Sequence, residues 1–424
     1  MAEFDTDILI AGGGLAGATL ALALSRALPE CRTTVVESFP LSPDALPDTY
    51  QPSYDARSTA LAWASRNIYE ALGLWPDLAP YATPIQRIHV SDRGRFGATR
   101  MSCDEQGVPA LGYVVDNRWM GLSLMRALLG ESAVQWRAPA EVVNVTPMTE
   151  GVSVVVSEGG EQTSMTAQCL VVADGGRSGL REKLGFNPDH THYDQHALIA
   201  NVSTANPHEF RAYERFTDTG PMALLPRGNP QRAGHESALV WTLSGDDLEE
   251  VLAASDKEKC RRLQARFGWR LGRFNRIGEC SHYPLTLTTV AESVRPGIVL
   301  VGNAAHTLHP VAGQGFNLAL RGLMTLVDQF RIASDKGIPL GRLDVLQAYQ
   351  LTHREDWQQT VRLSDSLIQI FGAESSLLGA ARDAGLVGLD LMPGARRWFA
   401  RRAMGLAAKR TAPLKSVEPE GTGT

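Results

Sequence analysis

The sequence predicts an α/β fold: a parallel-sheet unit assembled from separated stretches of chain, a β-sheet unit inserted between them, and a helical, basic C-terminus. Three observations predict it. Near the N-terminus an apolar run breaks into a glycine turn and re-enters as a helix. Two later apolar runs end in polar glycine turns near residues 175 and 302. Between those two, short runs read as strands rather than as helices.

The chain has 424 residues, enough for two to three domains at about 150 residues each. With 44% hydrophobic and 21% charged residues it has an ordinary globular composition, which excludes a fibrous or wholly disordered chain. Lys plus Arg number 41 against 46 Asp plus Glu, so a net charge of -5 gives no overall field toward nucleic acid, and no such partner is expected. The five cysteines are odd in number and form no C-x-x-C pair, which fits neither a disulfide framework nor a metal site and makes a reducing cytoplasm the simplest setting. Acids precede the first apolar run, the reverse of a signal peptide, and no apolar stretch reaches the roughly 18–20 residues that span a bilayer. The 40 glycines are the one excess, and their placement carries the chemistry.

The first element is Asp7-Ile8-Leu9-Ile10-Ala11, a strand ending in Gly12-Gly13-Gly14-Leu15-Ala16-Gly17. ATLALALSRAL follows, a run of helix formers apolar on nearly every face and so a buried helix. Thr33-Thr34-Val35-Val36 is a second strand, ending at Glu37. Together they form a Rossmann-like dinucleotide-binding unit. Gly12 permits the tight turn, Gly14 lets a pyrophosphate approach the backbone, and Gly17 lets the helix pack on the sheet. Glu37, about 20 residues beyond Gly17, can accept hydrogen bonds from ribose hydroxyls and disfavours a 2′-phosphate, so FAD or NAD is expected rather than NADP. No second complete fingerprint follows to hold a nicotinamide of its own.

Cys169-Leu170-Val171-Val172-Ala173 is the next strand of this unit, running into Asp174-Gly175-Gly176 and a helix near 178–184. Gly297-Ile298-Val299-Leu300-Val301 is another, ending in Gly302-Asn303. After Gly315, apolar residues at 316, 320, 323, 327 and 330 mark an amphipathic helix. Its first turn follows a Gly-Gln-Gly loop and presents free N–H groups and a positive dipole end, a suitable counter-charge for a reduced flavin. The inserted unit contains strand-like runs at 222–226 and 238–243, and Tyr213, Phe216 and Trp241 suit either an apolar pocket or core packing. From Leu391 to Lys415 the chain holds seven Lys or Arg and no acid, interleaved with Trp398, Phe399, Met404 and Leu406. Such a segment can lie on an anionic membrane surface or pack its apolar stripe on the protein.

Jointly, Gly12-x-Gly14-x-x-Gly17 with Glu37, V-A-D-G-x-R-S at 172–178 and V-G-N-A-A-H-T-L-H-P-V-A-G-Q-G-F-N-L at 301–318 resemble the single-component flavin aromatic hydroxylases of the para-hydroxybenzoate hydroxylase type. Within them the chain is most similar to the ubiquinone-biosynthesis branch, of the 2-polyprenyl-6-methoxyphenol hydroxylase (UbiH) type. Tyr54-Asp55-Ala56-Arg57-Ser58-Thr59-Ala60-Leu61 and His89-Val90-Ser91-Asp92-Arg93-Gly94 support this. The resemblance runs from about residue 6 to 350, and more loosely beyond. Gly302-Asn303 stands where most of the superfamily has Gly-Asp; Asn keeps an acceptor oxygen without the charge.

The resemblance implies a discontinuous FAD-binding domain over 1–75, 98–183 and 276–365, a β-rich substrate domain over 76–97 and 184–275, and a helical, basic segment over 366–424. It implies FAD contacts at Gly12, Gly14, Gly17, Glu37, Arg57, Asn117, Asp174, Gly175, Asn303, Gly313, Gly315 and Asn317, with Pro310 fixing the loop path against the flavin. It further implies that NAD(P)H reduces FAD transiently, that O2 gives a flavin C4a-hydroperoxide, and that a prenylated phenol takes the oxygen while the protein positions and shields. His306 and His309 lie in the loop expected to face the flavin and are the only acid–base candidates, with holding the backbone as their other role. A sister ring hydroxylase acting at another carbon, another flavin phenol hydroxylase, and a non-catalytic FAD- or lipid-binding subunit of a ubiquinone-biosynthesis complex stay open. So does peripheral attachment at the inner membrane through the basic segment.

Overall fold

The computed structural model describes residues 3–40, 57–94, 97–176, 178–307, 313–372, 388 and 390–406, with backbone alone at 363–372. The N-terminal half contains β1 (Thr6–Ala11), α1 (Leu15–Ala27), β2 (Thr33–Val36), β3 (Ser58–Ala62), α2 (Trp63–Ala71), α3 (Trp75–Leu78), β4 (Thr83–Ile85), β5 (Arg87–Asp92), β6 (Ala98–Ser102), β7 (Gly112–Asp116), α4 (Asn117–Leu129), β8 (Val134–Arg137), β9 (Ala140–Pro147), β10 (Val152–Glu158), β11 (Glu161–Val172) and α5 (Leu180–Lys183). The remainder contains β12 (Pro188–Thr204), β13 (Arg211–Thr217), β14 (Gly220–Arg227), β15 (Glu236–Ser244), α6 (Gly245–Ala253), α7 (Asp256–Phe267), β16 (Phe274–Ile277), β17 (Ser281–Val290), β18 (Val294–Arg295), β19 (Ile298–Leu300), β20 (His306–Thr307), α8 (Gln314–Asp335), α9 (Leu343–Gly372) and α10 (Pro393–Ala403).

One sheet of eight strands runs β18-β19-β11-β1-β2-β8, with β10 and β9 added beyond β11. Its centre is parallel: β1 pairs with β2 and β11, and β11 with β19. Strands covered on both faces read as continuous apolar runs, which is why Ile8, Leu9 and Ile10 are all fully buried. α1 is apolar nearly all round because it too is enclosed; Leu20 to Leu24 are inaccessible to solvent and pack with α4 and α8 in one core.

The second sheet has nine strands in the order β20-β17-β12-β15-β14-β13-β5-β6, with β16 paired to β12. It recruits β6 and β17 from either side of the expected 76–97 and 184–275 unit, because β6 closes an antiparallel hairpin with β5 and β17 pairs along β12. α6 and α7 cover one face, where Tyr213 and Trp241 join Leu198, Leu239, Leu263 and Phe267. For these two aromatics, packing is the role the structure assigns. The other face lays Ala212 against Ile85 and Val114, toward the three-stranded sheet β3-β7-β4.

α10 docks on edge strand β6 through Ala400 and Met404, which meet Met101, Cys103 and Leu111. Asp390 accepts a hydrogen bond from the Arg100 amide at 2.9 Å, capping an edge group that a sheet leaves unpaired. Leu391, Met392 and Trp398 remain 74%, 62% and 58% exposed. The rest of the basic segment, 407–415, lies outside the described residues. No helix among the described residues is long and apolar enough to cross a membrane.

Candidate cofactor site

Three glycine turns follow β1, β11 and β19, which lie side by side, so the turns converge at one edge of the parallel sheet. The Ala173 amide donates to the Ala11 carbonyl at 2.8 Å and the Val301 amide to the Val172 carbonyl at 3.0 Å, locking the three strand ends together. The carboxyl ends of parallel strands are where open α/β sheets bind ligands.

The first turn shows a separate reason for each glycine. Gly12 has φ +105°, and a Cβ there would stand 2.8 Å from the Ala173 carbonyl carbon. At Gly17 a Cβ would stand 1.9 Å from the Gly12 oxygen, so only glycine lets α1 approach the turn. Gly14 differs: nothing among the described residues lies within 4 Å of a Cβ placed on it. It caps α1 without a side-chain hydrogen bond, leaving the first-turn N–H groups facing open space. That is a cradle for an anion at a helix start.

Glu37 stands at the end of β2, 8% exposed. Its Oε2 accepts from the Gly13 amide at 2.6 Å and its Oε1 from the Phe39 amide at 2.9 Å and the Ser38 hydroxyl at 3.3 Å, which fixes the carboxylate beside the turn while Oε2 keeps a further lone pair for a hydroxyl. Trp136, at the end of β8, closes the turn from the side: a Cβ on Gly13 would meet its ring at 2.5 Å. No local sequence signal marks Trp136, which reaches the site only through the β2–β8 pairing.

In the second turn Asp174 accepts from the Gly176 amide at 2.8 Å and from the Ser178 hydroxyl, so its carboxylate shapes its own loop. Gly175 beside it has φ +72°. Arg181, buried on α5, donates from Nη1 to the Ala304 carbonyl at 3.1 Å and ties the second turn to the third. It too escaped the sequence reading. In the third turn Gly302 sits 3.8 Å, by its notional Cβ, from Ala16 of α1 and from Ala319 of α8, while Asn303 is exposed.

α8 begins at Gly313, whose φ of +58° turns the chain into the helix without a side-chain cap. Gly315 has nothing among the described residues within 4 Å of a notional Cβ, so a second helix start is uncapped and unobstructed by them. Asn317 is buried and its amide is fully engaged: Oδ1 accepts from the Ala62 amide at 2.7 Å, and Nδ2 donates to Ala60 at 2.9 Å and Gly313 at 2.8 Å. It clamps β3 to the α8 turn. Along the same strand the Arg57 carbonyl accepts from the Asn117 amide at 2.9 Å, and Asn117 Oδ1 accepts from the Thr59 hydroxyl at 2.7 Å. Arg57 itself is exposed.

His306 stacks on Trp357 with ring centroids 4.7 Å apart and lies 6.4 Å from His353. Burial first, then the charge of His353, pushes its pKa down to about 3, so the ring is neutral throughout the physiological range. An imidazole whose pKa lies this far below physiological pH is poorly placed to exchange protons there. His309 and Pro310 lie outside the described residues. Among the described residues no cluster of three or more His, Cys, Asp or Glu could hold a metal.

The residues present fit a flavin dinucleotide: two uncapped helix starts, glycines where a group must touch backbone, and a fixed carboxylate beside the first. Comparison with known proteins agrees. A family model described as FAD binding domain matches residues 5–335. Ubiquinone hydroxylase UbiL of Rhodospirillum rubrum is 33% identical over 94% of this chain and 89% of its own. The 3-demethoxyubiquinol 3-hydroxylase of Escherichia coli is 28% identical over 84% of this chain and 87% of its own. The solved structure of p-nitrophenol 4-monooxygenase PnpA from Pseudomonas putida DLL-E4 superposes with a TM-score of 0.75 at 18% identity, covering 97% of this chain and all of that one, a likeness of fold.

Proposed function

The chain belongs to the FAD binding domain family, and from that premise we propose that this FAD-dependent monooxygenase hydroxylates the aromatic ring of a prenylated phenol in ubiquinone biosynthesis, 2-polyprenyl-6-methoxyphenol in particular. The observation that carries the flavin assignment is the meeting of the Gly12–Gly17, Asp174–Gly176 and Gly302 turns at one sheet edge. The bound flavin, reduced by NAD(P)H, supplies the oxygen activation that no side chain offers.

The chain's own part is binding, orientation and exclusion of water. The α1 start would take the pyrophosphate on free N–H groups, and Glu37 would take the ribose hydroxyls. The α8 start at Gly313 and Gly315 would set a positive dipole end against the negative side of the reduced ring system. Asn317 holds that start in register with β3, so it positions the site through the backbone. Arg57 and Asn117 flank the same strand, and the sheet face carrying Ala212 lies toward it, so the division into a flavin unit and a substrate-covering sheet belongs to this proposal. The exposed Leu391 and Met392 just before the basic helix α10, and Trp398 on it, suit a peripheral place at the membrane that holds a prenyl tail.

The carbon hydroxylated separates this reading from a second one, which the Escherichia coli relative favours by its name: hydroxylation of a demethoxyubiquinol at carbon 3. Lipid extracts of a deletion strain distinguish them. Accumulation of 2-polyprenyl-6-methoxyphenol is expected; accumulation of a demethoxyubiquinol instead moves the assignment to the sister reaction. Purified protein is expected to be yellow and to oxidise NAD(P)H faster when the phenol is added. Protein that cannot be reconstituted with FAD would end both readings.

A further inference from the structure

A second site of positive charge lies on the face of the nine-stranded sheet that α6 and α7 cover. Alternate strand residues share a face. The register sets Arg211 beside Arg87 and Arg87 beside Ser102, with Tyr213, His89 and Arg100 on the next rung of the same face. Tyr213 meets Phe267 of α7 edge-on at 5.4 Å, which fixes the face; Ala212 points the other way, toward Ile85 and Val114.

A cleft of about 610 Å³ opens between these strands, the connection after α7 and the start of α10. Its walls carry Arg87, Arg100, Arg211, Arg270 and Arg396 against Glu105 and Asp390. The two acids are taken: Glu105 pairs with Arg396 at 2.9 Å, and Asp390 with Arg100 at 3.5 Å. The guanidinium groups of Arg87 and Arg270 have no partner among the described residues. His89 also lines the cleft; it is 8% exposed and its Nε2 has no hydrogen-bond partner among the described residues. Burial and then the arginines around it push its pKa down to about 4, so the neutral ring offers its nitrogen to a ligand. Arg211 pairs with the exposed Glu209 at 3.3 Å. Guanidiniums lining one cleft in excess of its acids repel unless an anion sits among them, and their planar fork matches phosphate oxygens two at a time.

We infer that this cleft binds the phosphate group of an anionic ligand, gripped by Arg87, Arg211 and Arg270 over His89. A lipid headgroup and a soluble phosphate compound share that chemistry. Leu391 and Met392, exposed beside Asp390, make the first source accessible from a membrane surface, and the cleft volume admits the second.

Calorimetric titration of inorganic pyrophosphate into the flavin-loaded protein tests the site. Binding is expected, weakened at least about tenfold in Arg87→Gln and in Arg270→Gln, the loss of about 1.4 kcal/mol that one charge-assisted pair supplies. Arg354→Gln, an exposed arginine of α9, should bind as wild type does. Flavin absorbance and circular dichroism check that each variant is folded. Co-sedimentation with phosphatidylcholine vesicles containing phosphatidylglycerol then separates the sources. Vesicle binding that pyrophosphate displaces assigns a lipid headgroup; pyrophosphate binding without vesicle binding assigns a soluble phosphate. Absence of pyrophosphate binding, or equal binding by wild type and both variants, overturns the site.

Discussion

At the ends of β1, β11 and β19 positive potential comes from backbone: uncapped helix starts at Gly14 and Gly313, with glycines keeping side chains away. On the α7-covered face of the nine-stranded sheet it comes from side chains, guanidiniums contributed by three strands, a connecting loop and α10. The backbone site is packed into the fold, because Gly12 and Gly17 seat the turn against its neighbours while Gly14 and Gly315 keep side chains off the helix starts. The side-chain site is assembled at the surface from long arms, two of them without partners. One is built into the fold and the other is laid upon it, so substitutions should strike them differently.

The largest effect is expected at Gly17. Gly17→Val puts a branched side chain where a Cβ alone would stand 1.9 Å from the Gly12 oxygen, so stability should fall by more than about 3 kcal/mol with loss of flavin, read by thermal melting and absorbance. Retained yellow colour and an unchanged melt would refute the backbone account of that turn. Asn317→Ala leaves the Ala62 amide and two carbonyls without their partner and should cost about 2–3 kcal/mol, measured by urea unfolding.

The histidines sharpen the contrast next. Burial lowers His306 from 6.5 to about 3, so the unfolded chain takes up a proton below pH 6.5 that the folded protein refuses. Its contribution is present above pH 6.5 and is lost as pH falls toward 3, by about 2 kcal/mol at pH 5; His306→Phe should flatten the acid limb by that amount. His89 is held down partly by arginines, so pyrophosphate should raise its pKa in NMR titrations while leaving His306 unmoved. Gly14→Ala, whose methyl meets no atom of the described residues, should leave the melt unchanged but weaken FAD binding about tenfold, near 1.4 kcal/mol, by equilibrium dialysis. Smallest of all, Arg270→Gln should alter stability by less than about 0.5 kcal/mol in the same urea assay.

Much of the flavin-side architecture was legible because its signals are local. The turn at 12–17, the strand ending at Glu37 and the helix after Gly315 are each read within about 20 residues, the span over which periodicity and turn chemistry operate. The helix spacing held: Leu320, Leu323, Val327 and Phe330 are all buried on α8. What escaped lies across the chain. Trp136 reaches the first turn through a strand pairing, Arg181 stitches two turns by one long-range hydrogen bond, and Asn317 acts on residues 255 and 257 positions away. Tyr213 and Trp241, equal candidates for pocket or core, were decided by α6 and α7 arriving over one face.

By itself the sequence determined the nucleotide-binding turn, its cofactor chemistry and four strands of the parallel-sheet unit, since a glycine required by positive φ or close approach leaves a mark where it stands. Only the tertiary structure decided that three such turns share one edge, that His306 packs against Trp357 as a neutral ring, and that Arg87, Arg211 and Arg270 face one cleft. Strand register brings together residues more than a hundred positions apart, and nothing in the neighbourhood of any one of them encodes that meeting.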